Sequence, residues 1–378
     1  MTTVHTWRRV RECGVLAVAI LLICLFCAAS PAAAQQPFAI FIVNSTLDAP
    51  DANLGDGLCR AAASGPQLYS PCTLRAAIDE INAGSTTTLI SLPAGQYQLT
   101  LGQLALYKET HISGAGADRT IIDGNHTYRV LDIASSASVD ISGVMIQNGT
   151  GEQSQVVSSH YHGGGIHNHG VLTLRNSAIS GNGADSLKQP HGGGIYNAGM
   201  ATLVNVTISY NSATKGGGIY DGSPYQGMVL NNVTISGNLA PDGGGIYSSV
   251  HPYTYLKNSI VANNDGIWPG NNCQGAIYDG GYNLQYAPAA ANGASCGAMM
   301  PVADPQLQPV LNGNGSAIVF ALPKWSPAID QGHPATPNGL GGACVADDQR
   351  FVARPQDGDG IGGARCDIGA YERRPTDP

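Results

Sequence analysis

The sequence is poor in charge, in aromatic rings and in stretches that favour helix. Asp, Glu, Lys and Arg make up 12% of its 378 residues, about half of ordinary usage, so it lacks the charge density of a disordered chain. Its net charge is −8 and no basic stripe interrupts it, which excludes nucleic acid as a partner. No strict three-residue glycine period exists, so collagen is excluded. The tight C-x-x-C spacing of a structural zinc site is missing as well.

Long apolar runs are scarce too. The one example, Cys13 to Ala29, follows Arg8, Arg9 and Arg11 and precedes Ala32-Ala33-Ala34. That order of basic, apolar and small residues predicts a secretory signal over 1–34, cleaved before Gln35. The run also sits at the lower limit for a membrane anchor, the alternative reading. With the signal removed, no membrane span is expected, and 15 basic and 25 acidic residues leave a net charge of −10. Six cysteines then remain: Cys59, Cys72, Cys273, Cys296, Cys344 and Cys366. An even count in an exported chain predicts disulfides, and nearest-neighbour pairing is the simplest of the many connectivities.

What the chain has in excess is glycine, 50 residues against a usual share of about 7%. Four triplets are each followed by isoleucine: Gly163-Gly164-Gly165-Ile166, Gly192-Gly193-Gly194-Ile195, Gly216-Gly217-Gly218-Ile219 and Gly243-Gly244-Gly245-Ile246, at intervals of 29, 24 and 27 residues. A second phrase recurs between them, Ala178-Ile179-Ser180-Gly181-Asn182, Thr207-Ile208-Ser209-Tyr210-Asn211, Thr234-Ile235-Ser236-Gly237-Asn238 and a degenerate Ser259-Ile260-Val261-Ala262-Asn263. Self-similarity at this period predicts a stacked solenoid. Two or three short strands per unit fit one coil of a right-handed parallel β-helix, an all-β fold. Ile146, Ile179, Ile208, Ile235 and Ile260 are expected to stack inward about 4.8 Å apart. Asn148, Asn182, Asn211, Asn238 and Asn263 are expected at the following turn, with left-handed backbone and amides bonded from coil to coil.

The one convincing helix begins at Thr73 as N-cap, buries Leu74, Ala77, Ile78 and Ile81, and ends at Gly84. It suits the cap that a solenoid's raw end requires. The organisation read from the sequence is a signal over 1–34, a cap over 35–87, a β-helix over 88–263, a loop-rich extension over 264–372 and a tail over 373–378.

Three motifs resemble one family. Cys72-Thr73-Leu74-Arg75-Ala76-Ala77-Ile78 is similar to the N-terminal CSLREA signature. The glycine and Ile-Ser-Gly-Asn alternation resembles polymorphic outer-membrane-protein-like repeats. Ala303-Asp304-Pro305, Ser326-Pro327-Ala328-Ile329-Asp330-Gln331-Gly332 and Asp367-Ile368-Gly369-Ala370-Tyr371-Glu372 resemble a choice-of-anchor Q domain. The resemblance implies an exported bacterial β-helix, displayed or released, with no established catalytic residues. Members usually continue into an anchoring signal; here six residues follow Glu372, so secretion or non-covalent adherence at the cell surface is expected.

Candidate sites follow from the alignment. His167, Tyr196, Tyr220 and Tyr247 hold the same offset after each triplet and are expected to form a ring ladder, a binding surface for carbohydrate or cell-surface molecules, or else a simple covering of the strand. His160, His162, His167, His169 and His191 cluster beside it; an imidazole metal site and a stacked aromatic column are the two readings. Asp357-Gly358-Asp359-Gly360 resembles half of a calcium loop, with Asp367 as a third ligand for Ca2+; a plain glycine turn beside Cys366 is the alternative, and no other cofactor is expected. Enzymes of the parallel β-helix type, polysaccharide lyases and glycoside hydrolases, would want paired carboxylates or an acid cluster on the coils. The acids of the regular coils are sparse, so no catalytic residue is assigned and a binding scaffold is the expected function.

Overall fold

A computed structural model describes residues 39–62, 71–84, 88–151, 162–183, 190–224, 227–249, 254–266, 272–287, 296–339 and 342–377. The signal-like segment 1–34 and His160 lie outside them. The chain is a parallel β-solenoid with a single helix among the described residues. No helix there is long and apolar enough to cross a membrane.

Strands stack in three columns. The first runs through β1 (Ala39–Ile42), β2 (Thr88–Leu92), β5 (Thr110–Gly114), β8 (Ser138–Ser142), β11 (Val171–Ser180), β13 (Met200–Ser209), β15 (Met228–Asn231), β18 (Thr254–Lys257) and β21 (Ile277–Asp279). The second comprises β3 (Gly95–Gln98), β6 (Thr120–Asp123), β9 (Met145–Gln147), the C-terminal halves of β11 and β13, β16 (Thr234–Ser236), β19 (Ile260–Ala262) and β22 (Leu284–Tyr286). The third is a seven-stranded sheet of β4 (Leu104–Leu106), β7 (Leu131–Ile133), β10 (Ile166–Asn168), β12 (Ile195–Asn197), β14 (Ile219–Asp221), β17 (Ile246–Ser248) and β20 (Cys273–Gly275). Parallel pairing therefore starts at Ala39 and continues to Tyr286, wider than the 88–263 read from the repeats.

Inward isoleucines fill the bore. Ile122, Ile146, Ile179, Ile208 and Ile235 pair in register and are fully buried. The next rung is Val261, not Ile260, which instead opposes Thr234. The asparagine column slips likewise. The buried amides run Asn182, Asn211, Asn238, Asn264 and Asn272, each Nδ2 donating to the next Oδ1 at 2.9–3.0 Å. Positive φ sits one residue earlier, at Asn148, Gly181, Tyr210, Gly237 and Asn263. Left-handed backbone and amide bonding thus belong to neighbouring columns. The first glycine of each triplet also has positive φ, 61–67°. The third is needed for close approach: a Cβ on Gly194 would lie 2.6 Å from the Gly218 carbonyl oxygen.

Helix α1 (Leu74–Ala83) covers the N-terminal end. Thr73 accepts from the Ala76 N–H at 3.1 Å, and Leu74, Ala77, Ile78 and Ile81 are buried. Buried Glu80 accepts from the Gly55 and Gly57 N–H groups, which fastens the preceding loop to the cap. The cysteines pair as neighbours: Cys59–Cys72, Cys273–Cys296 and Cys344–Cys366.

The C-terminal region folds back over the second column. A hairpin of β23 (Gln308–Leu311) and β24 (Ala317–Ala321) leads into loops that run along the corner between columns one and two. Asn176, Asn205, Asn232 and Asn258 turn that corner with φ of 47–54°. The last three hold the strap: Asn205 Nδ2 donates to Asp347 O, Asn232 Oδ1 accepts from Val345 N, and Asn258 Nδ2 donates to Gly342 O, while Asn176 Oδ1 accepts from Asn205 Nδ2. A second apolar cluster, including Ile260, Ala262, Leu284, Val319, Ile329, Ile368 and Tyr371, seals the contact. The tail is part of it, since Tyr371 OH donates to buried Asp377.

Candidate functional site

The ring ladder stands on the seven-stranded sheet. In each of β10, β12, β14 and β17 the first and third residues face the core, so the middle one, His167, Tyr196, Tyr220 or Tyr247, points outward. Parallel register places them directly above one another. Centroids are 5.1, 5.2 and 5.3 Å apart, and the three tyrosines lie within 4° of parallel. A second column interleaves with the first. His162 stacks on Tyr196 at 4.8 Å, His191 on Tyr220 at 4.5 Å, and Lys215 Nζ lies 4.9 Å from the Tyr247 centroid.

Stacking has a chemical consequence. The ring faces cover one another, so the ladder turns edges toward solvent rather than faces. The Tyr196, Tyr220 and Tyr247 hydroxyls take no partner among the described residues. The surface on offer is a row of phenol and imidazole edges, one per coil, suited to hydrogen bonding more than to stacking on a ligand.

Asp132 closes the ladder at one end. It pairs in register with His167, and its Oδ1 lies 2.7 Å from His167 Nδ1. His167 Nε2 in turn meets exposed His169 Nε2 at 3.1 Å. Buried Arg129 Nη1 stands 3.5 Å from Asp132 Oδ1 and donates to Gln103 Oε1, while Nε and Nη2 donate to Gly163 O and His162 O. Burial pushes the Asp132 carboxyl up, but the His167 hydrogen bond and the Arg129 charge together bring it below its ordinary value. Burial outweighs the Asp132 bond at His167 and holds that imidazole down. His162 falls furthest, to about 4, through burial first and then the neighbouring His191, His167 and Arg129. No protein-family model, curated protein or solved structure matches this chain.

Asp132 is the member that the repeat alignment does not reach. Its coil carries Tyr128-Arg129-Val130 where later coils have three glycines, so nothing marks the position. Between Asp132 and Asp242 the two ladder columns hold no carboxylate, and the two stand at opposite ends. The pair of close carboxylates that sugar hydrolysis requires is not formed there. Asp221 is buried in a different column, between Asn197 and Ser248, where it accepts from Asn197 Nδ2 and Thr254 Oγ1.

The depressed histidines make the ladder sensitive to acid. His162 Nδ1 accepts from the His191 N–H at 3.0 Å, a bond that protonation at Nδ1 removes. A histidine with a folded pKa of about 4 and an unfolded value of 6.5 binds its proton more tightly when unfolded, so its contribution is present above pH 6.5 and lost as pH falls toward 4. Thermal melts across that window are expected to show falling midpoints in the native protein and a flatter profile in His162→Phe. Identical profiles would refute the assignment.

The calcium-loop residues lie apart, in the strap. Asp357 and Asp359 gather with Asp330, their carboxylate oxygens within 4.8 Å of one another, the one such convergence of three metal-binding side chains among the described residues. Asp367 is not with them. Its Oδ1 accepts from the Asp330 N–H and its Oδ2 from the Arg373 N–H, and it sits fully buried beside Glu372 and Arg354.

Proposed function

We propose that the protein is an exported, non-catalytic binding scaffold that recognises extended glycans of a cell surface or extracellular matrix along its ring ladder. The observation that carries this reading is the unbroken file of outward edges from His167 to Tyr247. Its rise of one coil, about 4.8 Å, is comparable to the length of one sugar ring in an extended chain. Three disulfides accord with an oxidising compartment, and the motifs similar to CSLREA and choice-of-anchor Q sequences support export.

The test removes hydroxyls and keeps the stack. A Tyr196→Phe/Tyr220→Phe/Tyr247→Phe variant is expected to bind glycans on an array at least about tenfold more weakly, as loss of three hydrogen bonds of roughly 1 kcal/mol each allows. Equal binding by the variant, or no glycan bound by the native protein, would reject the reading. The Asp132–His167–His169 chain favours a second one, a polysaccharide lyase with His169 as the exposed base. Unsaturated uronate released from acidic glycans, and abolished in Asp132→Asn, would replace the scaffold by that enzyme.

A further inference from the structure

The three aspartates in the strap pose an electrostatic problem that the protein does not itself solve. Asp330 is only 6% exposed, and its Oδ2 has no hydrogen-bond partner. Its Oδ1 accepts from the Arg365 N–H at 3.1 Å. Asp357 Oδ1 accepts from Gly360 N, and Asp359 Oδ1 from Ile361 N. One oxygen of each carboxylate is thus committed to backbone, which fixes the side chains and leaves the others unengaged. No Lys or Arg side chain forms an ion pair with any of the three among the described residues; Arg365, whose backbone N–H meets Asp330, sends Nη2 to Gly332 O.

A buried acceptor without a donor is costly, and like charges nearby add to that cost. Burial, followed by the Asp359 and Asp357 charges, raises the Asp330 carboxyl in spite of the N–H groups that face it. A bound cation reverses each of these costs.

We infer that Asp330, Asp357 and Asp359 form a binding site for one Ca2+ ion, which ties the glycine turn at 357–363 to the turn at Asp330. Three oxygens no more than 4.8 Å apart fit a circle of radius at most about 2.8 Å, which brackets the 2.3–2.6 Å of Ca–O bonds. Mg2+, which demands shorter bonds in a near-ideal octahedron, fits less well. The donors are hard carboxylate oxygens, and Asp367 acts behind them by holding the Asp330 N–H. The site neighbours the Cys344–Cys366 bond, since Gly332 packs against both of its sulfurs. Ca2+ therefore fastens the strap at the place where the disulfide already cross-links it. The site is independent of the ring ladder.

Isothermal titration of the oxidised mature protein with CaCl2, paired with thermal melts in Ca2+, Mg2+ and EDTA, tests this. One Ca2+ per chain is expected, with a dissociation constant on the order of 0.1–1 mM, typical of extracellular modules. The melting midpoint should rise in Ca2+ and stay unchanged in Mg2+. Asp359→Asn and Asp357→Asn, at half-buried positions, should keep the EDTA midpoint and weaken Ca2+ binding about tenfold or more. Absence of saturable binding up to about 10 mM, or native affinity in both variants, would overturn the inference. An equal midpoint rise in Mg2+ would overturn it too, by marking a general ionic effect.

Discussion

Replacing Asn211 by alanine is expected to remove about 4 kcal/mol of stability, the sum of four buried hydrogen bonds at roughly 1 kcal/mol each. Asn211 Oδ1 accepts from both Asn182 N and Asn182 Nδ2; its Nδ2 donates to Ile179 O and Asn238 Oδ1. Asn182 Nδ2 keeps a second acceptor in Ile146 O, but the Asn182 backbone N–H has no other partner and becomes a buried orphan. The aspartate variant should fare worse, because it sets a carboxylate oxygen against two acceptors in a site with no exposure. Urea midpoints measure both. A loss below about 1 kcal/mol in Asn211→Ala would mean that the amide column is decoration and that the isoleucines alone hold the coils.

Arg354→Ala is expected to free the strap from the coils. The Arg354 Nη1 donates to Glu372 Oε2 at 2.7 Å and to Asp367 O, and Nη2 donates to Gly369 O. Arg354 and Glu372 side chains are both fully buried. Removing the guanidinium leaves the Glu372 and Asp367 carboxyls, both pushed upward by burial, without their cation, at a cost of about 3–5 kcal/mol. The damage should be local. Hydrogen exchange is expected to accelerate over 342–372 while β11, β13 and β16 remain protected. Uniform acceleration of coils and strap together would show instead that the two unfold as one.

Much of the fold is legible in the sequence because the triplets and the Ile-Ser phrases each report a fixed point of the coil. Legibility fails at Ser259-Ile260-Val261, where Ser-Ile resembles Thr-Ile of the earlier coils. There the outer side of β19 is apolar as well, since Ile260 and Ala262 pack beneath the strap. An apolar residue on both faces of a strand removes the period-two contrast that sets register. The corner asparagines explain a second gap. Asn205, Asn232 and Asn258 serve a left-handed turn and also a docking contact with residues more than 80 positions away, and spacing alone carries no trace of the second role. The ladder from His167 to Tyr247 is legible through its constant offset. Asp132 is not, for want of a triplet. Asp330 lies 27 residues before Asp357, in the 326–332 phrase with its own family resemblance, and only folding brings it to the aspartates.

The strap also fixes how many coils this part of the chain can have. Asp347, Val345 and Gly342 take hold of Asn205, Asn232 and Asn258, one corner after another. Solenoids ordinarily lengthen by duplicating a repeat, since each unit meets only its neighbours. Here an inserted coil would move Asn258 away from Asn205 by one further rise, about 4.8 Å, and carry it past Gly342. Lengthening of this section would require matching residues added to the strap at the same time. Coil number behind the strap is measured against a ruler, and the β23–β24 hairpin extends that ruler toward the N-terminal coils, where Asn314 Nδ2 donates to Gln96 Oε1 of β3.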